Sequence, residues 1–200
     1  MWPWEHLAVG YVAYSLSTRA FGSGAPRGAA VIALAVGTQF PDLVDKPLAW
    51  ALGVLPSGHS LAHSVFFAVP ASALAVVVGA ALGRRRVGVA FGFGYLAHLP
   101  GDVVSPMLLG GRANVGFLFW PVVPAPESEA SIGFVEMVGY LFGRYLNEVL
   151  TGQLSAYVAV ELGLLASVAL LWVLDGMPPV RTAFARGQDE TASVPDEEVP

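Results

Sequence analysis

Apolar residues in this chain come in runs too long for the alternation of a half-buried strand or the narrow stripe of a soluble surface helix. Leu61 through Gly83 is almost charge-free and stops at Arg84, Arg85 and Arg86. As a helix it would extend about 34 Å at ~1.5 Å per residue, enough to cross the bilayer core. Residues 87–109 and 153–174 are similarly apolar. The first carries Gly92, Gly94, His98 and Pro100, and the second carries Glu161, about eight residues in. Residues 5–22 are dotted with Ser and Thr, and residues 28–54 are broken at Pro41. The crossing in the latter is placed at about 28–43, with a short interfacial helix after Pro47. The pattern predicts an all-α, polytopic integral membrane bundle of about five transmembrane helices.

Residues 132–150 are apolar but interrupted by Glu136, Arg144 and Glu148. This reads as an amphipathic helix lying in the interface over the outer end of the bundle, with a sixth crossing as the alternative. Just before it, Phe117-Leu118-Phe119-Trp120-Pro121 has the aromatic character of interface depth.

Composition agrees with a membrane protein, since 55% of the 200 residues are hydrophobic and only 12% charged. The net charge is −5 and the ten basic residues form no extended patch, which argues against a nucleic-acid partner and leaves membrane lipid as the expected one. Five acids crowd into residues 189–198, so the chain divides into a membrane domain over 1–177 and a disordered acidic cytoplasmic tail over 178–200. No basic residue precedes the first apolar run, and residues 1–22 are read as a retained segment instead of a cleaved leader. In a five-span arrangement Arg19, Arg27, Arg84, Arg85, Arg86, Arg181 and Arg186 share one side, and Lys46, Arg112 and Arg144 share the other. The positive-inside rule makes the first side cytoplasmic. The expectation is a multi-pass cell-membrane protein with its N-terminus outside.

The chemistry-bearing residues concentrate at the outer end. His6 opens the first span, Asp42 and Asp45 close the second, His59 and His63 open the third, and His98 and Asp102 lie near the end of the fourth. Ligands three or four apart on a helix project from one face toward one ion, which suits Asp42 with Asp45, His59 with His63, and His98 with Asp102, the last only if the helix tolerates Pro100. The chain has no cysteine, so a metal here is held by nitrogen and oxygen. Each residue also has a plainer reading: His6 and His59 as interfacial side chains, Asp42 and Asp102 as caps, Glu161 as a neutral hydrogen-bonding acid. Glu161 is expected about 12 Å deeper than the cluster by the helical rise.

Glu5-His6-Leu7, Phe40-Pro41-Asp42-Leu43-Val44-Asp45, Ala62-His63-Ser64, Gly94-Tyr95-Leu96-Ala97-His98 with Asp102, and Phe119-Trp120-Pro121 resemble, in order and spacing, the motifs of the YdjM-type membrane-bound metal-dependent hydrolase family. The family is itself similar to zinc-dependent phospholipase C in its helical His/Asp pattern. The resemblance covers about residues 4–122. It implies a divalent metal, zinc first, held by His6, Asp42, Asp45, His63, His98 and Asp102. Asp42, Asp45, His98 and Asp102 would be the catalytic set, acting on a phosphoester or lipid-linked substrate. His59 is a further candidate: it stands four residues from His63 where the family's pair is five apart, and Lys46 stands where members often carry a histidine. Two rival readings share these residues. One is an ion or metal transporter, which needs ligands at the midplane; the other is a non-enzymatic membrane protein with a structural metal.

Overall fold

The computed structural model describes residues 1–108, 111–125, 134–151 and 156–180. Among them every regular element is helical: α1 (Pro3–Ala20), α2 (Ala29–Lys46), α3 (Val65–Ala81), α4 (Arg85–Leu108), α5 (Phe134–Thr151) and α6 (Ala156–Leu174). A wide π-type turn over Pro47–Ala51 continues α2, and a 3-10 turn covers Gly116–Phe119. The anticipated acidic tail falls almost wholly on residues outside those described.

Helix α4 is the centre of the bundle, packed against α1, α2 and α3, while α1 also meets α2 and α6. Small residues let these backbones touch. A Cβ on Gly37 would lie 2.2 Å from the carbonyl oxygen of Phe91, and one on Gly94 would lie 2.4 Å from that of Leu34, so α2 and α4 meet with no side chain between them. Gly88 approaches Ala75 of α3 in the same way. The tight α3–α4 connection turns at Gly83, whose φ of 67° suits a residue without a Cβ.

Polarity is distributed inside out relative to a soluble domain. Glu5, His6, Asp45, His63, His98, Asp102 and Glu161 are buried, whereas Phe66, Leu74, Val77, Leu162, Leu170 and Val173 are exposed along α3 and α6. Apolar surface of that kind has no use in water and is the ordinary surface of a helix in lipid. Two of the described helices are long and apolar enough to cross a membrane, Arg85–Met107 and Tyr157–Leu174, and α3 is apolar but shorter. Of the five anticipated crossings, these two meet that test of length and composition among the described residues.

Several boundaries differ from the sequence reading for local reasons. The third apolar run does not begin as helix at residue 61: Ser64 is the N-cap, its side chain accepting from the Phe66 amide at 3.2 Å, and residues 52–64 form an irregular loop. Helix α2 runs through Pro41 to Lys46, past the anticipated end near 43. Helix α4 likewise runs through Pro100 and Pro106.

The end of the bundle away from the histidines is tied by one buried carboxylate. Asp175, just past α6, accepts hydrogen bonds from Tyr11 Oη at 2.8 Å and Ser15 Oγ at 2.7 Å, and pairs with Arg19. Burial works to raise its pKa, but Arg19, Ser15 and Tyr11 outweigh it and hold the carboxyl below the usual range.

Candidate metal centre

Three elements deliver four side chains to one buried point. Asp42 stands on the last turns of α2, and His98 and Asp102 lie one turn apart on α4. His63 comes from the loop just before α3. Asp42, His63, His98 and Asp102 each present one ligand atom, and these four atoms all lie within 4.8 Å of one another. His63 Nε2 is 3.1 Å from His98 Nε2. Asp102 Oδ2 is 3.0 Å from His98 Nε2 and 3.3 Å from His63 Nε2, while Asp42 Oδ1 is 3.4 Å from His63 Nε2.

The hydrogen bonds on the far sides of the rings determine what the near sides offer. His98 Nδ1 lies 2.7 Å from the Thr38 carbonyl oxygen, which can only accept, so Nδ1 carries the hydrogen and a neutral ring turns its Nε2 lone pair inward. His63 Nδ1 lies 2.8 Å from Asp45 Oδ2, with the same consequence. Asp42 Oδ1 and Asp102 Oδ2 are buried and accept no hydrogen bond. Two lone pairs and two carboxylate oxygens thus converge on a point that demands positive charge. Burial lowers the pKa of His63, but Asp102, Asp42 and Asp45 outweigh it and push it up to about 10. A nitrogen-and-oxygen set whose rings are fixed from behind by a carboxylate and a carbonyl fits a divalent metal ion.

The remaining anticipated ligands are close but face elsewhere. Asp45 stands behind His63, its oxygens taken by the amides of Ser60 at 2.9 Å, Ala62 at 2.8 Å and His63 at 3.2 Å and by the His63 ring. It folds the histidine loop around itself and aims the ring. His6 stacks on His98 with centroids 3.6 Å apart and puts Nε2 3.2 Å from Asp102 Oδ1, the oxygen turned away from the shared point. His59 Nε2 is 3.6 Å from Asp102 Oδ2, on a side chain 42% exposed. The anticipated helical face for His59 and His63 does not exist, because both lie in the loop. Pro100 leaves α4 helical, and His98 and Asp102 meet across one turn.

Three contributors were given no role from the sequence. Thr38 acts through its backbone carbonyl, which any residue could supply. Tyr95, fully buried, donates to the Ala62 carbonyl at 2.7 Å and pins the histidine loop to α4. Lys46 places Nζ 2.5 Å from Asp42 Oδ2, opposite the oxygen that faces the histidines. Glu161, expected about 12 Å deeper than the cluster by the helical rise, sits in the second turn of α6, accepts from Trp4 Nε1 at 2.5 Å, and neighbours Glu5, which Tyr157 Oη reaches at 2.5 Å.

Phe117 closes the centre from the segment after α4, its ring centroid 5.6 Å from that of His59 and 6.0 Å from that of His63. Ser64 Oγ fastens this segment by donating to the Trp120 carbonyl at 2.6 Å.

No curated protein and no solved structure matches the chain. One protein-family model does, over residues 1–177, a span that contains the six helices among the described residues and the cluster. The chain belongs to the family described as YdjM inner membrane protein.

Proposed function

We propose that this protein is a membrane-bound metal-dependent hydrolase with its centre near the outer membrane surface. The observation that carries the reading is the inward-facing set of His63, His98, Asp42 and Asp102, whose ligand atoms crowd one buried point where the Asp42 and Asp102 oxygens accept no hydrogen bond. Two nitrogens and two oxygens at that spacing suit zinc. Zinc bound by these residues would supply Lewis acidity and lower the pKa of a bound water toward ~7. The chain's own work is positional. Asp45 and Thr38 fix the histidine rings, His6 backs Asp102 against His98, and Phe117 excludes bulk water from one side.

Membrane placement follows from the family and the exposed apolar helices. Helices α1, α2, α3, α4 and α6 are the five crossings, α5 lies in the interface, and the arginine-rich turn at Arg84–Arg86 is cytoplasmic. A centre at headgroup depth favours a lipid or lipid-linked ester, phosphoesters first. The transporter reading, which needs ligands at the midplane, is less well supported, because Glu161, the acid expected deepest, belongs to a hydrogen-bonded group beside the start of α1.

The test uses purified detergent-solubilised protein. It should retain about one zinc per chain after dialysis and hydrolyse bis(p-nitrophenyl) phosphate, with activity lost to a chelator and restored by zinc. Zinc retained without hydrolysis of any ester offered would favour a structural metal; failure to retain metal would remove the reading.

A further inference from the structure

Two cavities meet at the metal centre, and they differ in character. The larger, about 630 Å³, lies between the start of α1, the end of α2 and α5. Its walls are largely aromatic and aliphatic, with Trp2, Trp4, Trp50 and Phe142 among them, and it reaches the centre at Asp42 and Lys46. The smaller, about 320 Å³, is more polar and reaches the centre at Asp102, beside His59, Ser57 and Asn114. Trp50 and Ser105 line both. Leu43, Val138 and Phe142 line the larger cavity yet are 65%, 41% and 47% exposed, so its rim is apolar and open to the side. A hydrocarbon chain can enter there without crossing water.

Lys46 marks the inner end of this apolar space. Its ammonium touches Asp42 on one side and stands 5.7 Å from the centroid of the Trp50 ring. An anionic group arriving there would meet the carboxylates of the centre, and Lys46 supplies the compensating charge together with hydrogen-bond donors beyond the one given to Asp42. A carboxylic ester is neutral and would gain little from it. A phosphodiester carries one negative charge and has a substituent on each side, matching an apolar cavity with Lys46 at its inner end and a more polar cavity that adjoins it at Met1, Trp50 and Ser105.

We propose, building on the hydrolase reading above, that the larger cavity holds the hydrocarbon chain of a membrane phosphodiester. Lys46 binds a phosphoryl oxygen, and the smaller cavity receives the polar substituent. The occupant is an amphiphile taken from the bilayer, not a free phosphate.

The experiment measures binding on metal-stripped protein, so it does not depend on turnover. In a Trp120→Phe, Trp172→Phe background the remaining tryptophans, Trp2, Trp4 and Trp50, all line the larger cavity. Bromododecyl phosphocholine should quench them saturably in maltoside detergent. Lys46→Gln should weaken this ligand about tenfold, the scale of a lost charge-assisted hydrogen bond, and leave bromododecanol unchanged. Lys46→Arg should restore binding, which separates loss of charge from misfolding. Val138→Phe, filling the cavity at its rim, should weaken both brominated ligands several-fold. Glycerophosphocholine, which has the phosphodiester without the chain, should not compete. Equal quenching by the alcohol and the phosphodiester, with no effect of Lys46→Gln, would overturn the proposal, as would effective competition by glycerophosphocholine. The hydrolase reading can fail separately: a protein that binds the probe as expected but retains no zinc and cleaves no ester keeps the amphiphile site and loses the enzyme.

Discussion

His63 Nε2 and His98 Nε2 face each other at 3.1 Å, while the Nδ1 atoms of both rings are turned outward onto Asp45 and the Thr38 carbonyl. Such a pair needs a positive charge at the contact: a proton on His63, which Asp102, Asp42 and Asp45 favour, or a metal ion accepting both lone pairs. Zinc retention distinguishes the two. His98→Ala and His63→Ala should each reduce retained zinc to background after dialysis, read by elemental analysis. Glu161→Gln should retain full zinc, since Glu161 bonds Trp4 and takes no part in the cluster.

Asp45 tests whether orientation matters apart from ligation. Asp45→Asn keeps the size of the side chain but removes the charge that gathers three amides and the His63 ring. Zinc affinity should fall by about 10–100-fold, the usual effect of losing a partner behind a metal-binding histidine. Competition with a chelator of known affinity measures it, and an unchanged affinity would show that the loop holds His63 without help.

Gly94→Ala should act on the centre from a distance. Its Cβ would fall 2.4 Å from the Leu34 carbonyl oxygen and 3.0 Å from the Thr38 amide, so α2 must move off α4. The cost is about 1–3 kcal/mol, typical of overpacking. Zinc affinity should fall as well, because Thr38 holds the His98 ring. Gly139→Ala, where nothing lies within 4 Å of the added carbon, is the contrast and should be neutral or slightly stabilising. Thermal unfolding in detergent reports both.

The Asp175 lock predicts a pH dependence with a definite sign. Its folded-state pKa lies below the ordinary aspartate value of about 3.9, so its contribution is complete above that value and lost as pH falls through the folded pKa. Asp175→Asn should lower the unfolding temperature at pH 7. The difference from the parent protein should shrink as pH falls below about 4, where the unfolded-state carboxyl takes up its proton first. A difference that stayed constant or grew on acidification would show that charge is not what Asp175 contributes.

Topology has its own measurement. With the centre outside, a membrane-impermeant thiol reagent added to intact cells should label Arg112→Cys and spare Arg85→Cys, both of which replace exposed residues in a chain without native cysteine. The reverse pattern would turn the protein over and place the centre in the cytoplasm.

The sequence by itself determined the helical class, the family and the gathering of His6, Asp42, His63, His98 and Asp102 at one end. These rest on one-dimensional facts: the length of apolar runs, the order of motifs, and the requirement that consecutive helices reverse direction. It also placed the amphipathic segment that α5 occupies, because three charges within an apolar run are visible without any neighbour. Tertiary structure decided which side chains point at the shared site. Asp45 and Asp42 look equivalent three residues apart, yet Asp45 is consumed by the amides of a loop that helical periodicity could not reveal. Glu161 looks deep when counted from the start of its apolar run, but its depth is set by where α6 begins and by Trp4 on another helix. Lys46 is in sequence a departure from the family's histidine, and only the packing of α1 and α5 places a cavity beside it. Orientation of a buried polar side chain depends on partners distant in sequence, including backbone carbonyls such as that of Thr38, which carry no residue identity for a sequence to display.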